Sequence, residues 1–252
     1  MKIIINGAAG RMGAEVLRMI SNGARGSELA AAVDRVGGDS ILPSLDEFTG
    51  SADVIIDFSH HSAVTPLLKY AKTHRIPVVV CTTGHTCDEI EEIRDASKYI
   101  PVFHSGNMSV GIAVLIKLAA EAAAAFPDAD IEIVETHHNR KLDAPSGTAL
   151  MLADGIRNVR PDAYNNCGRS GNKKRESREI GISAVRRGNI VGIHEVLIST
   201  DTQTLTLKHE AHSRSLFAEG ALAAADYLYK CPAGLYNMDD MLKSVNESIS
   251  SK

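Results

Sequence analysis

The sequence predicts a two-domain α/β protein, and two patterns support this fold class. Over the first hundred residues, short β-branched runs such as residues 3–5, 54–56 and 78–80 alternate with helix-like segments. Continuous apolar strands separated by helices are typical of a parallel sheet covered on both faces. After about residue 109 the pattern changes and strand-like segments follow one another. This change predicts a second α+β domain built on a mixed sheet.

Apolar spacing defines the elements of the first domain. In the helix at 62–73, for example, Val64, Leu67, Leu68 and Ala71 recur on one face. The same criterion predicts strands at 3–5, 29–33, 52–58, 78–80 and 100–103 and helices at 14–20, 62–73 and 88–96.

The second half has longer elements and one polar interruption. An Ala-rich helix at 110–125 stops before Pro127, and the polar segment 165–179 has no apolar periodicity, so we expect a mobile loop there. A short tail is expected after residue 229. The other predicted elements are strands at 131–136, 180–185, 190–199 and 202–209 and helices starting near Ser146 and spanning 215–229.

Composition excludes several classes of function. The chain has 31 acidic and 27 basic residues, a net charge of −4 and no Trp, which argues against a nucleic-acid binder. The apolar stretch 107–126 is interrupted by Lys117 and Glu121, so no membrane span is predicted. None of the four cysteines has C-x-x-C spacing, which favours free thiols in the cytoplasm.

A glycine-rich loop is the strongest signal near the start of the chain. Glycines at positions 7, 10 and 13 follow a strand directly and precede a helix, the context of a Rossmann-like dinucleotide site. Asp34, at the end of the second strand, can accept from ribose hydroxyls, and Arg35 can pair with a 2′-phosphate. The pair therefore predicts use of both NADH and NADPH. The alternative is a purely structural turn beside a solvated Asp–Arg pair.

Two more polar segments follow predicted strands of the first domain. Residues 81–84 come after the strand at 78–80, and residues 105–108 come after the strand at 100–103. Ligands of open parallel sheets bind at the carboxyl ends of the strands. Together with the glycine loop, these segments predict contacts to the nicotinamide half of the cofactor, although each alone could be an ordinary polar turn.

Residues 135–149 concentrate groups suited to acid catalysis and anion binding. Ser146 is a candidate N-cap, and the N–H groups after it would bind a carboxylate or phosphate. His137 and Lys141 are candidate proton donors. Solvated histidines are the alternative, and we expect the pair at 60–61 to be solvated. No cysteine or histidine spacing completes a metal site, and no G-x-S-x-G elbow surrounds Ser146.

These residues resemble the dihydrodipicolinate reductase family. The family motif H-H-x-x-K-x-D-A-P-S-G-T-A is matched at every fixed position by residues 137–149. The resemblance extends to the glycine loop, Thr82-Thr83-Gly84, Asn107 with Ser109-Val110-Gly111, Arg187-Gly188 with Ile190-Val191-Gly192, His209, Ser213-Arg214 and Gly234-Leu235.

The resemblance implies roles for individual residues. It implies that His137 is a proton donor or acceptor, that Lys141 is a second proton donor, and that His138, Gly147 and Thr148 bind substrate. The cofactor contacts that it implies are Gly7, Ala8, Ala9, Gly10, Arg11, Met12, Asp34, Arg35, Cys81, Thr82, Thr83, Ser105, Gly106, Asn107 and Met108.

Three residues depart from the family pattern. Cys81 stands where glycine is usual, His85 where an aromatic residue is common, and Met108 where Phe is frequent. All three fall in the segments expected to contact nicotinamide, so they affect the shape of that pocket.

The resemblance also implies an activity and an organisation. The activity is NAD(P)H-dependent reduction of 4-hydroxy-tetrahydrodipicolinate, a small dicarboxylate, in lysine and diaminopimelate biosynthesis. Residues 1–109 and 214–252 would form the dinucleotide-binding domain, and residues 110–213 the substrate and oligomerisation domain of a homotetramer. No nucleic-acid, membrane or metal partner is expected. The alternatives are a reductase of another small keto or imino acid, or a redox-sensing regulator that binds NAD(P) without turnover.

Overall fold

The computed structural model describes residues 1–250, which divide into two compact units. Unit 1 comprises Met1–Ser109 and the chain from Ser215 onward, and unit 2 is Val110–Arg214. Residues 251 and 252, which the sequence assigned to the first domain, lie outside the described residues.

The described residues form twelve strands and seven α-helices. The strands are β1 Lys2–Asn6, β2 Glu28–Val33, β3 Ile41–Leu42, β4 Val54–Asp57, β5 Val78–Val80, β6 Pro101–His104, β7 Asp130–His137, β8 Tyr164–Cys167, β9 Glu179–Arg186, β10 Gly192–Ser199, β11 Thr204–Ala211 and β12 Gly234–Tyr236. The helices are α1 Arg11–Ser21, α2 Val64–His74, α3 Cys87–Ala96, α4 Val110–Ala125, α5 Gly147–Arg157, α6 Ser215–Leu228 and α7 Met238–Ser250.

Unit 1 is built on a seven-stranded parallel sheet in the order β12-β6-β5-β4-β1-β2-β3. The β-branched residues of β1, β4 and β5 are fully buried, as expected for strands covered on both faces. The strand order reverses between β1 and β4. In such sheets this switch point opens a crevice at the carboxyl ends of the strands, where ligands bind.

The chain after α6 is not a short tail, and this expectation was wrong. Gly234–Tyr236 pairs in parallel with β6, and α7 follows at once. The strand has only three residues and lacks a β-branched run, so its sequence carries little strand signal. Pairing with the edge of a preformed sheet supplies the hydrogen bonds that define it.

Unit 2 contains a five-stranded mixed sheet in the order β11-β10-β7-β9-β8. Strand β7 runs antiparallel to β10 and parallel to β9. Apolar residues on one face, such as Ile133 and Val196, share a core with Leu152 of α5. Gly155 of α5 allows α4 to approach, because a Cβ there would lie 2.6 Å from the Cγ2 atom of Ile116. The predicted α/β class, with a parallel-sheet domain and a mixed-sheet domain, is confirmed.

The segment 165–179 is more ordered than its composition indicates. Tyr164–Cys167 forms strand β8, so the expected loop begins only after it. Arg169 pairs with Glu179 at 2.5 Å, and Arg175 donates to the carbonyl oxygens of Ile131 and Glu179. Polar side chains therefore attach this segment to the sheet. The spacing of apolar residues does not indicate such polar contacts.

Candidate functional site

The glycine loop of unit 1 is shaped by contacts that only glycine permits. Gly7 has a φ of +81°, and a Cβ there would lie 2.6 Å from the backbone of Phe58. A Cβ on Gly13 would collide with the carbonyl oxygen of Gly7, so α1 packs directly on the loop. Gly10 is the N-cap of α1 and supplies no side chain to its N–H groups. The N–H groups of Gly7, Ala8, Ala9 and Gly10 already donate within the protein, so those of Arg11 and Met12, at the start of α1, are the ones that this loop can offer to a phosphate.

Asp34 links the end of β2 to this loop. Its two carboxylate oxygens accept hydrogen bonds from the N–H groups of Ala9, at 3.1 Å, and Val36, at 3.2 Å. The carboxylate keeps lone pairs for further donors such as ribose hydroxyls. Arg35 is exposed beside it. A cavity of about 670 Å³ is lined by both residues, by Gly7 and Gly10, and by residues of the 43–46 and 58–70 segments.

Asp57 is a buried carboxylate at the end of β4 that the sequence pattern did not single out. It is 1% exposed and accepts hydrogen bonds from Asn6 at 2.7 Å, Ser59 at 2.6 Å and Thr82 at 2.7 Å. It therefore ties together the ends of β1, β4 and β5. Its only sequence signal is an acidic residue that closes an otherwise apolar strand.

The two segments expected near nicotinamide are compact. Cys81 is buried, and burial together with the Asp57 carboxylate raises the pKa of its thiol, which stays protonated. The hydroxyl of Ser105 donates to the carbonyl oxygen of Asn107 at 2.8 Å. Met108 is buried, and a Cβ on Gly220 would collide with its carbonyl oxygen, so α6 packs on this backbone. Thr83 and Gly106 are exposed to solvent.

His60 is exposed, as expected of a solvated pair, whereas His61 is half-buried, which corrects the expectation for that residue. The ring of His60 accepts from the N–H of Ser62 and caps the helical turn that follows. His61 pairs with Glu89 at 2.9 Å. Burial lowers the pKa of both His85 and His104, whose rings lie 5.4 Å apart, which favours the neutral form of each.

In unit 2, His137 lies at the end of β7 and makes a short contact with a carboxylate. Its Nδ1 atom is 2.5 Å from Oε2 of Glu135, and the residue is 8% exposed. Arg186 donates to both oxygens of Glu135, at 2.8 and 2.7 Å, and the N–H of Ser146 donates to Oε1 at 3.0 Å. Burial opposes ionisation of Glu135, but these hydrogen bonds outweigh it and lower its pKa to about 2.

Cationic side chains gather around the following loop. Nζ of Lys141 lies 2.8 Å from Oδ1 of Asp143, and a guanidinium nitrogen of Arg214 lies 3.4 Å from Nε2 of His138. Burial, followed by the neighbouring cations Arg140 and Arg214, lowers the pKa of His138. The arrangement is suited to an anion. The sequence singles out Arg214 only through the family resemblance.

The N-terminus of α5 completes this half of the site. The hydroxyl of Ser146 accepts from the N–H of Ala149 at 3.2 Å, as an N-cap does. Gly147 is exposed, and a Cβ there would meet no atom within 4 Å. Thr148 follows it and is half-buried. Hydrogen bonds from Lys141 and from the Gly147 N–H help to lower the pKa of Asp143 against the effect of burial, so this helix end already attracts one carboxylate.

His194 lies beneath His137 in the same unit. Its ring is 5.1 Å from that of His137, its Nε2 is 3.2 Å from the Ser146 hydroxyl, and the residue is 4% exposed. Burial, reinforced by the nearby charge of His137, lowers its pKa to about 4. His194 is therefore neutral at physiological pH.

This depressed pKa predicts a loss of stability in acid. The unfolded chain binds a proton at His194 below about pH 6.5, whereas the folded chain does so only near pH 4. The free energy of unfolding should fall over that interval, by on the order of 3 kcal/mol from this residue. Urea unfolding at pH 7 and pH 4.5 should show a smaller loss for His194→Gln than for the wild type. Equal losses would contradict the assignment.

Among residues 1–245, the part of the chain whose side chains are described, no group of three histidine, cysteine, aspartate or glutamate residues is arranged to hold a metal ion. Over the same part of the chain, no helix has both the length and the apolar character needed to cross a membrane.

Comparison with protein families and curated proteins gives a consistent result. The family models for the N-terminus and the C-terminus of dihydrodipicolinate reductase match residues 1–108 and 111–242. A 4-hydroxy-tetrahydrodipicolinate reductase of Clostridium novyi is 43% identical over 97% of this chain and 99% of its own length. The enzyme of the same name from Caldanaerobacter subterraneus subsp. tengcongensis is 45% identical over 96% of this chain and 98% of its own length.

Solved structures with the same fold were also found. A dipicolinate-bound dihydrodipicolinate reductase from Paenisporosarcina sp. TG-14 has a TM-score of 0.78 and 23% identity, over 94% of this chain and 97% of its own. An amine dehydrogenase from Mycobacterium smegmatis has a TM-score of 0.63 and 9% identity, over 95% of each chain.

Proposed function

The chain belongs to the dihydrodipicolinate reductase family, and we propose how its residues carry out the reaction of that family. The enzyme is an NAD(P)H-dependent oxidoreductase that reduces 4-hydroxy-tetrahydrodipicolinate to tetrahydrodipicolinate in lysine biosynthesis. The conversion consumes one hydride and one proton and releases water. The observation that carries the residue assignments is one short loop of unit 2, which combines a buried histidine, a lysine and a helix N-terminus.

The residues of unit 1 fit a dinucleotide. The bound cofactor supplies the hydride. The segment Gly7–Met12 lies against its pyrophosphate, to which Arg11 and Met12 donate their N–H groups. Glycine at positions 7 and 13 lets this loop pack closely on the backbone of Phe58 and on α1. Asp34 accepts from the adenosine ribose, and Arg35 faces a 2′-phosphate. Residues 81–83 and 105–108 contact the nicotinamide half, and Asp57 holds the strand ends beneath them.

Arg35 should discriminate between the two cofactors. Because its guanidinium can pair with the 2′-phosphate of NADPH only, Arg35→Ala should raise the KM for NADPH by roughly 10- to 100-fold, the equivalent of one charge-assisted contact. The KM for NADH should change little. Steady-state kinetics with each cofactor measure this difference. Arg25→Ala is the matched control, because Arg25 pairs with Asp226 in the same unit. Equal increases for NADH and NADPH would remove Arg35 from the ribose site.

The substrate's two carboxylates match the two anion-binding features of unit 2. We assign one carboxylate to the Gly147 and Thr148 end of α5, where the structure leaves open space beside Gly147. The other is assigned to His138 and Lys141, and Arg214 adds positive charge there. The dipicolinate bound by the Paenisporosarcina enzyme is itself a dicarboxylate, which supports this assignment.

We assign proton transfer to His137 and Lys141. Glu135 engages Nδ1 of His137, so Nε2 is the ring nitrogen that can give a proton to the substrate. Lys141 contributes a second donor and a positive charge near the reacting group. Consumption of NADH that depends on supplied 4-hydroxy-tetrahydrodipicolinate tests the activity itself.

We further infer a homotetrameric enzyme that works in the cytoplasm. One face of the unit 2 sheet is packed by helices, whereas the opposite face carries the half-buried apolar residues Val134, Ile193 and Leu197. A partly apolar sheet face is suited to pairing with a second copy. Free cysteines and a biosynthetic role are consistent with a reducing compartment.

A further inference from the structure

Glu135 is a buried charge whose cost the fold must offset. It lies on β7 with no solvent exposure, and it has three donors: the guanidinium of Arg186, the N–H of Ser146 and the ring of His137. An isolated buried carboxylate is strongly destabilising, whereas one with a bidentate arginine and further donors stays ionised. Arg186 and Ser146 alone give it three hydrogen bonds. The fourth, to His137, therefore requires an explanation beyond keeping Glu135 charged.

The state of Glu135 determines the state of His137. An ionised carboxylate can only accept hydrogen bonds, so the Nδ1 atom at 2.5 Å must carry a hydrogen. When His137 is neutral, its bare nitrogen is consequently Nε2. Without this contact, either nitrogen could carry the proton.

The opposite edge of the ring is kept open by the neighbouring strand. Gly192 begins β10, and a Cβ at this position would lie 3.1 Å from Nε2 of His137 and 3.7 Å from His194. Any side chain there would crowd the nitrogen that Glu135 leaves bare. Glu135 therefore engages one nitrogen of the His137 ring, and the missing side chain on β10 leaves the other nitrogen, Nε2, uncrowded.

We propose that Glu135, anchored by Arg186 and the Ser146 N–H, is a positioning residue that fixes His137 in its Nδ1–H tautomer, with Gly192 leaving Nε2 accessible to the substrate. During turnover the proton leaves Nε2 for the substrate, and the ring returns to the neutral form with its Nδ1–H still bonded to Glu135. Solvent protonates Nε2 again before the next cycle. The proposal rests on the catalytic role of His137 in the proposed function.

The wild-type protein itself allows a first test that does not depend on turnover. Protonated and bare ring nitrogens have well separated ¹⁵N chemical shifts, so ¹⁵N-histidine labelling reports the tautomer. The signal of His137, assigned by its loss in His137→Asn, should be that of the Nδ1–H form once the ring is neutral. The Nε2–H form, or a mixture of the two, would overturn the proposal even if the enzyme is an active reductase.

A second test separates positioning from binding. Glu135→Gln should lower kcat at least about 10-fold, and by less than the ~10⁴-fold that loss of an orienting carboxylate costs in a serine-protease triad. The dissociation constant of pyridine-2,6-dicarboxylate should stay unchanged, because Glu135 does not touch the ligand. Glu132→Gln is the matched control. This carboxylate lies on the same strand and is likewise paired with arginine, in its case Arg169 and Arg175, but it does not contact His137.

A double variant tests whether a loss of activity comes only from misfolding. Glu135→Gln leaves Arg186 without its main partner, so Glu135→Gln with Arg186→Met removes both charges together. Either variant should show the same fall in kcat together with a changed His137 tautomer. A wild-type kcat in a folded variant, or a loss of kcat that Glu132→Gln reproduces, would overturn the proposal. Failure of the wild type to reduce the substrate would instead overturn the proposed function and leave the tautomer result standing.

Discussion

Lys141→Ala should lower kcat/KM by about 10²–10⁴-fold if, as we propose, the lysine supplies a proton and a positive charge to the reacting group. His137→Ala should lower kcat by a similar factor with a smaller effect on KM, since the role that we propose for it is proton transfer rather than anion binding. Lys141 is half-buried in the loop after β7 and His137 is buried at the end of β7, so the stability of each variant must be measured beside its activity. Steady-state kinetics and thermal unfolding measure the two effects separately.

Lys173→Ala is the control for this pair. Like Lys141, Lys173 forms an ion pair with a nearby acidic residue, here Glu176, but it lies in the segment between β8 and β9. Its removal should leave kcat/KM unchanged. Near-normal turnover by folded Lys141→Ala and His137→Ala would show that these residues are not the proton donors.

Gly147→Val should abolish most of the affinity for a dicarboxylate. The space beside Gly147 is open, and we assign it to one substrate carboxylate. A branched side chain would fill this space and screen the N–H groups of α5. Each charge-assisted contact contributes roughly 1.5–3 kcal/mol, so the dissociation constant of pyridine-2,6-dicarboxylate should rise by about 10- to 100-fold. Titration calorimetry measures this dissociation constant directly.

A ligand of the same ring type with a single carboxylate provides the control. Pyridine-2-carboxylate has one carboxylate, so the wild type should bind it much more weakly than the dicarboxylate. The backbone of Gly147 is not strained, and the variant should unfold at nearly the wild-type temperature. Equal inhibition of the wild type by both compounds, or undiminished binding of the dicarboxylate to Gly147→Val, would remove this helix end from the substrate site.

Much of the fold could be predicted because its elements carry strong local patterns. The β-branched runs of β1, β4 and β5 and the Ala-rich helix α4 are obvious from residue type and spacing alone. Strands β8 and β12 could not be predicted in this way. The first is polar and the second has three residues, so both depend on a neighbouring strand for their hydrogen bonds.

The candidate site also has a part that could be predicted from the sequence and a part that could not. The glycine loop and the loop from His137 to Thr148 are contiguous in sequence, so their chemistry is visible before folding. The residues that pair with these groups and orient them cannot be identified from the sequence in this way. Glu135 and Arg186 are 51 residues apart, and Asp57 meets Thr82 across 25 residues. Only pairing between β7 and β9, and between β4 and β5, brings these groups together.

The central claim, that this enzyme reduces a cyclic dicarboxylate with NAD(P)H, is tested most directly by a coupled assay. Dihydrodipicolinate synthase with its two substrates generates 4-hydroxy-tetrahydrodipicolinate in the cuvette, and the absorbance of the reduced nicotinamide is followed. We predict that absorbance falls only when the synthase, its substrates and this enzyme are all present, and that pyridine-2,6-dicarboxylate slows the fall when the synthase is in excess. No consumption of NADH or NADPH in the complete mixture, or equal consumption without the synthase, would contradict the account.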